Sequence, residues 1–120
     1  MKKIFLWSPL VLLIFFVTQV GQTQLIPTML QVRVIDSIGN VVPGAKVTVY
    51  ASEADFNDEE NEVVPFELSN KKGIVTFKKL EAKSYWILAK KGDMSNEDRG
   101  VQTEVLEKGR INKINVVLEE

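Results

Sequence analysis

One run in this sequence has residue types at a spacing that suits ion coordination. Asp55, Asn57 and Glu59 place side-chain oxygens at alternate positions, as calcium-binding loops do, and hard cations take oxygen donors. The rest of such a loop is missing, because Glu60 stands where the sixth position needs glycine and no closing glutamate falls in register. Around these residues, Glu53, Asp58, Glu60 and Glu62 crowd the segment Ser52 to Glu62, with only Phe56 to bury, so a solvated loop is expected there. No metal is assigned, and Asp55, Asn57 and Glu59 stand as Ca²⁺ candidates.

Two zero counts bound the remaining chemistry. The 120 residues include no cysteine and no histidine. That removes disulfides, thiol nucleophiles and thiolate metal sites, together with the commonest general base and transition-metal ligand. No serine or lysine stands at a spacing that pairs a nucleophile with a base, so no enzyme and no cofactor are expected. Binding is left. Phe56 and Trp86 are the candidate partner-binding residues, Trp86 either as an exposed anchor or as part of a second packed layer. Lys71, Lys72, Lys78, Lys79, Lys83, Lys90 and Lys91 add a basic bias in mid-chain, suited to acidic glycans or lipid headgroups, or to guarding strand edges.

Behind these residues lies an exported β domain. Met1-Lys2-Lys3 is a short positive start, and Ile4 to Val17 is a run of 14 residues that is apolar except at Ser8-Pro9. A membrane-spanning helix needs about 20, so residues 1–22 are expected to be a signal peptide, cleaved near Gly21 to Gln24, with an uncleaved anchor as the alternative. Residues 23–29 are then a linker, and 30–120 the domain. Losing Lys2 and Lys3 leaves 13 basic against 16 acidic residues, a balance that gives no reason to propose nucleic acid as a partner. A disulfide-free exported domain points to a bacterial envelope, in the periplasm or at the cell surface.

Alternation sets the strands. Leu30 to Ile35 reads as a strand with one face buried, and Pro43-Gly44 fits a type II turn. Ala45, Val47, Val49 and Ala51 share an inner face, with Lys46, Thr48 and Tyr50 on the other. Val64, Phe66 and Leu68 resume the pattern, broken by Pro65, and Asn70 to Gly73 close a tight turn into Val75 and Phe77. Tyr85, Ile87 and Ala89 point inward, opposite Trp86 and Leu88. Gly92 to Gly100 reads as a polar loop, followed by Val101, Thr103 and Val105, then by Ile114, Val116 and Leu118. Seven short strands without helical periodicity predict an all-β sandwich.

Val32-Arg-Val-Ile-Asp36, Gly39, Val42-Pro-Gly-Ala-Lys-Val-Thr-Val49, Asn70-Lys-Lys-Gly73 with Phe77 and Leu80, and Tyr85-Trp-Ile resemble the carboxypeptidase-regulatory-like domains. That family shares a prealbumin-like (Ig-like), transthyretin-like Greek-key sandwich with the Cna B-type repeats. The resemblance runs from about Leu30 to Leu118 and implies a structural, spacing or docking module without activity of its own. It departs at Lys83-Ser84, where many members have Pro-Gly, and in the length of the acidic segment.

In some Cna B-type relatives a lysine and an asparagine or aspartate form an isopeptide bond beside a carboxylate. The register sets Gln31 and Ala89 near the lysine and carboxylate positions, and neither side chain supports that reaction. Prealbumin-like hydroxyisourate hydrolases depend on histidines that this chain lacks. The expectation is a non-enzymatic interaction module of the cell envelope, a small accessory subunit docking on a larger protein assembly. The alternative is a module that binds glycan or Ca²⁺ through the loops at 52–62 and 92–100. Membrane contact is expected only through a retained leader or a partner.

Overall fold

The structure, a computed structural model, describes residues 26–120. The expected signal peptide and the first residues of the linker lie outside that range. The linker's last part is tied down: the carbonyl of Thr28 accepts the Leu80 amide (3.0 Å), and its hydroxyl accepts that of Gly109 (2.9 Å).

Two sheets face each other. The alternating residues from Leu30 form β1 (Met29–Asp36), the middle strand of a three-stranded sheet. It runs antiparallel to β4 (Ile74–Phe77) and parallel to β8 (Ile111–Leu118). The second sheet orders β3 (Glu67–Leu68), β2 (Lys46–Tyr50), β5 (Trp86–Lys91) and β6 (Met94–Ser95), and β7 (Val101–Gln102) also pairs β5. A single turn-and-a-half of helix, α1 (Glu53–Asp58), follows β2. The sandwich is as expected, but eight strands are found among the described residues, the extra one being β6 inside the segment read as a loop.

Leu30, Val32, Val34, Val75, Phe77, Val116 and Leu118 of the first sheet meet Val47, Val49, Ile87 and Ala89 of the second. Each large apolar side chain fully withdrawn from water contributes about 1.5–3 kcal/mol, and short β-branched residues suit a thin space between sheets. Tyr85 joins this core while its hydroxyl donates to the Glu81 carbonyl (3.0 Å). The core positions flanking Gln31, which are Leu30 and Val32, are apolar, and Ala89 is fully buried beside them.

Three stretches depart from simple alternation. β3 is only two residues long, and Phe66 and Leu68 are 46% and 61% exposed, because β3 is an outer strand beyond which no further layer covers them. Ala51 is exposed as well, since β2 ends at Tyr50 and the chain turns into α1. Val105 is 67% exposed and Leu106 takes the core place instead. The slip follows Thr103, whose hydroxyl accepts the Tyr85 amide (3.0 Å) and donates to the Glu104 carbonyl (2.7 Å), replacing a regular ladder contact.

The expected turns depend on similar substitutions. Gly44 takes φ +71° after Pro43, as a type II turn requires. Between its ends sits the buried hydroxyl of Ser69, donating to the Val42 carbonyl (2.6 Å) and accepting the Ala45 amide (2.8 Å). One side chain thus closes the turn and fastens β3 to β2. Asn70 to Gly73 forms a hydrogen-bonded turn, with Gly73 at φ +74°, where a Cβ would lie 2.7 Å from the Val34 carbonyl. Ser69→Ala orphans two buried backbone groups, and an expected loss of about 1–3 kcal/mol is read as a lower urea midpoint at unchanged m.

Candidate functional site

The outer face of the second sheet carries a ladder of three rungs, because β2 and β5 pair in register. Lys46 stands opposite Lys90, Thr48 opposite Leu88 and Tyr50 opposite Trp86. On an open sheet this face would be solvated. Here α1 lies over the aromatic rung.

The helix begins at Ser52, whose hydroxyl accepts the Asp55 amide (3.1 Å). Glu53 and Asp55 in its first turn complement the positive end of the helix dipole. Phe56 turns inward and is 4% exposed, edge-on to Tyr50 at 6.2 Å and tilted over Trp86 at 5.6 Å. With Leu88 these residues form a second small core outside the main one. Phe56 is therefore a fastening for the helix and not an exposed partner contact, and Trp86 belongs to the packed layer. Gly100 also packs on Trp86, and a Cβ there would meet the indole at 3.0 Å.

The chain leaves the helix through Glu59, in the left-handed region at φ 53°, with its amide bonded to the Phe56 carbonyl (3.3 Å) and that of Glu60 to Asp55 (3.1 Å). This aims the Glu59 carboxylate at Lys90 Nζ, 2.7 Å away, and the same ammonium lies 2.9 Å from Glu97. Asn61, at φ 61°, donates from its side chain to Asp55 (3.3 Å), and the Val63 amide returns the chain to Val49 (2.9 Å).

A cleft of about 270 Å³ results, lined among others by Thr48, Tyr50, Leu88, Glu62 and Phe66, with Lys46 and Lys90 at one end. Lys46 Nζ lies 4.4 Å from the Phe66 ring centre, a cation–π contact. The hydrogen bonds it donates to Glu59 and Glu97 hold the Lys90 ammonium above the ordinary lysine pKa, so it is a fixed cation and not a base. Burial, and next the charges of Glu59 and Glu62, push the Tyr50 hydroxyl up. The cleft offers hydroxyls, carboxylates, ammonium groups and an aromatic ring, which suit recognition of a polar surface.

The oxygen donors do not converge there. Side chains two apart on a helix point about 200° from each other, so Asn57 faces away from Asp55. Asp55 is engaged by Asn61, and Glu59 by Lys90. Among the described residues no three acidic side chains gather where a metal ion could sit. Across the second sheet, Asn96 closes the gap between β6 and β7: its side chain accepts the Ala89 amide and donates to the Ile87 carbonyl, both at 2.8 Å.

Sequence reasoning set Lys46, Thr48 and Tyr50 on the right face but did not join them to Lys90 and Phe66, since pairing and the return from Glu59 to Val63 are long-range. The helix did have a signal in Ser52-Glu-Ala-Asp55, a serine cap followed by an acidic residue in the first turn.

No family model and no curated protein match the sequence. Solved structures do share the fold. The TIE protein of Bacillus anthracis is similar at 26% identity and TM-score 0.57 over 78% of this chain and 16% of that one. The group B streptococcus pilus 2b backbone protein matches at 16% identity and TM-score 0.58, over 77% and 40%. BcpA, the major pilin subunit of Bacillus cereus, matches at 16% identity and TM-score 0.52, over 78% and 30%. The chain thus spans a minor part of each of these proteins, and its fold is the sandwich of their domains.

Phe56→Ala is expected to cost about 3 kcal/mol and to red-shift the emission of Trp86, the only tryptophan besides Trp7. Tyr50 and Lys90 both have raised pKa values, so the stability they confer is whole below pH 10.0, the ordinary tyrosine value, and falls as pH rises through the folded values. Melting temperatures measured from neutral to strongly alkaline pH should drop above that point, and less steeply in Tyr50→Phe.

Proposed function

We propose that this chain is a non-enzymatic structural and interaction module of the bacterial cell envelope. It is exported by a signal peptide at residues 1–22 and acts as a small accessory subunit of a larger protein assembly. The likeness to pilin and TIE-protein domains supports a surface module of this kind, and the resemblance to carboxypeptidase-regulatory-like domains points the same way. The observation that carries the docking role is a strip of exposed apolar side chains, of which Phe66 lines the cleft. Val63, Phe66 and Leu68 are all exposed on or beside β3, which pairs only β2 among the described residues. A partner there would gain apolar contact from Phe66 and Leu68, backbone pairing along β3, and fixed charges from Lys46 and Glu62.

A second reading, a glycan-binding module, is favoured by one feature. The exposed Phe66 ring stands over a cleft with hydroxyl, amide and carboxylate partners, bordering the 52–62 segment. Neither reading needs a cofactor. Affinity purification from native membranes separates them. The docking role predicts an envelope protein that co-purifies with the unaltered chain and is lost with Phe66→Ser/Leu68→Ser. A glycan-array signal without any co-purifying protein would overturn it.

A further inference from the structure

Among the described residues the longest open edge is β8, on the sheet opposite the cleft. It pairs with β1 along all eight of its residues and, among the described residues, with no strand on its other side. Its backbone groups alternate in direction. The Arg110 carbonyl accepts the Met29 amide of β1, whereas Glu119 exchanges both its hydrogen bonds with Ser95 of the other sheet, each 2.9 Å. Even-numbered residues therefore face β1. Ile111, Lys113, Asn115 and Val117 turn theirs outward, and among the described residues that outer side is closed only at Glu119.

Beside this edge runs a groove of about 430 Å³ between β8 and the 103–107 segment. Val105 and Ile111 are exposed along it, and Ile114 is half-buried. Proteins usually blunt such an edge with bulges, prolines or several charges. Here Lys113 alone does so within the strand.

The charges around β8 are polarised along it. At its start Lys108, Arg110 and Lys113 outnumber Glu107, which pairs with Arg110 (3.3 Å), whereas Glu119, paired with Arg99 (2.9 Å), and Glu120 follow it. A second copy laid antiparallel sets the basic start of each strand beside the acidic end of the other; a parallel copy sets like against like. Centring the two-fold at Ile114 makes the outward hydrogen-bonding positions coincide. Ile111 then faces Val117 of the second copy and Lys113 faces Asn115. Shifting the centre to Lys113 would bring two ammonium groups together.

We propose that β8 is a self-association edge. Two copies of this chain pair β8 to β8, antiparallel about Ile114, and join their first sheets into one of six strands. The Val105 and Ile111 groove is covered in the process, while the cleft on the opposite sheet stays free.

The test uses the full chain as the exporting cell leaves it, examined by sedimentation equilibrium from micromolar to near-millimolar concentration. A monomer–dimer equilibrium that weakens with salt is expected. Asn115→Pro removes an outward N–H without touching the β1 ladder and should weaken dimerisation by about tenfold or more at unchanged circular dichroism. Ile114→Cys, in a chain with no other cysteine, should oxidise to a covalent dimer much faster than Lys71→Cys, because antiparallel partners opposite each other bring their Cβ atoms within about 5.5 Å. A monomer at every concentration overturns the proposal. So does a dimer indifferent to Asn115→Pro, or equal oxidation rates at the two cysteines.

Discussion

The structure depends on close packing between the inner faces of its two sheets, where Val32 and Val34 of the first sheet join Val47, Val49 and Ile87 of the second in one fully buried cluster. No disulfide reinforces this contact, since the chain has no cysteine. Nearly all the stabilisation must come from apolar area and from satisfied backbone hydrogen bonds. That requirement explains why the core side chains are short and branched, and why Tyr85, the largest of them, directs its hydroxyl to a carbonyl at the rim.

Small polar side chains do the joining that longer strands would otherwise do. Ser69 bridges a turn, Thr103 takes a ladder amide, and Asn96 fills the space between two strands of two residues each. All three are buried, and among the described residues no buried side-chain nitrogen or oxygen lacks a partner. Each lets the backbone change direction while keeping its hydrogen bonds in protein. The second sheet can thus be assembled from fragments, leaving its outer face to α1 and the cleft.

Much of this was legible in the sequence, and the failures share a cause. The long strands β1 and β8 are read from period-two alternation because one face of each is buried for most of its length. The turns at Pro43-Gly44 and Asn70 to Gly73 are read from local backbone chemistry. Phe66, Leu68 and Val105 mislead because alternation reports only that two faces differ, and says nothing of whether a second layer exists to cover one. Phe56, read as a partner contact, misleads in the opposite sense, whereas Trp86 takes the packed-layer role, one of its two readings. An acidic helix that buries a single phenylalanine has almost no apolar periodicity, so the segment looks like a loop until β2 and β5 bring Tyr50, Leu88 and Trp86 beneath it.

Lys90 has a further meaning for what the cleft can accept. Its ammonium is shared between Glu59, just past the helix, and Glu97, in the 92–100 segment, so two pieces of chain far apart in sequence have a common counter-ion. An anion entering the cleft finds that charge already neutralised and must displace a carboxylate to reach it. An uncharged polar group meets no such competition. At Lys90 an incoming anion would compete with carboxylates of both segments, whereas Lys46, held over the Phe66 ring, makes no such ion pair among the described residues.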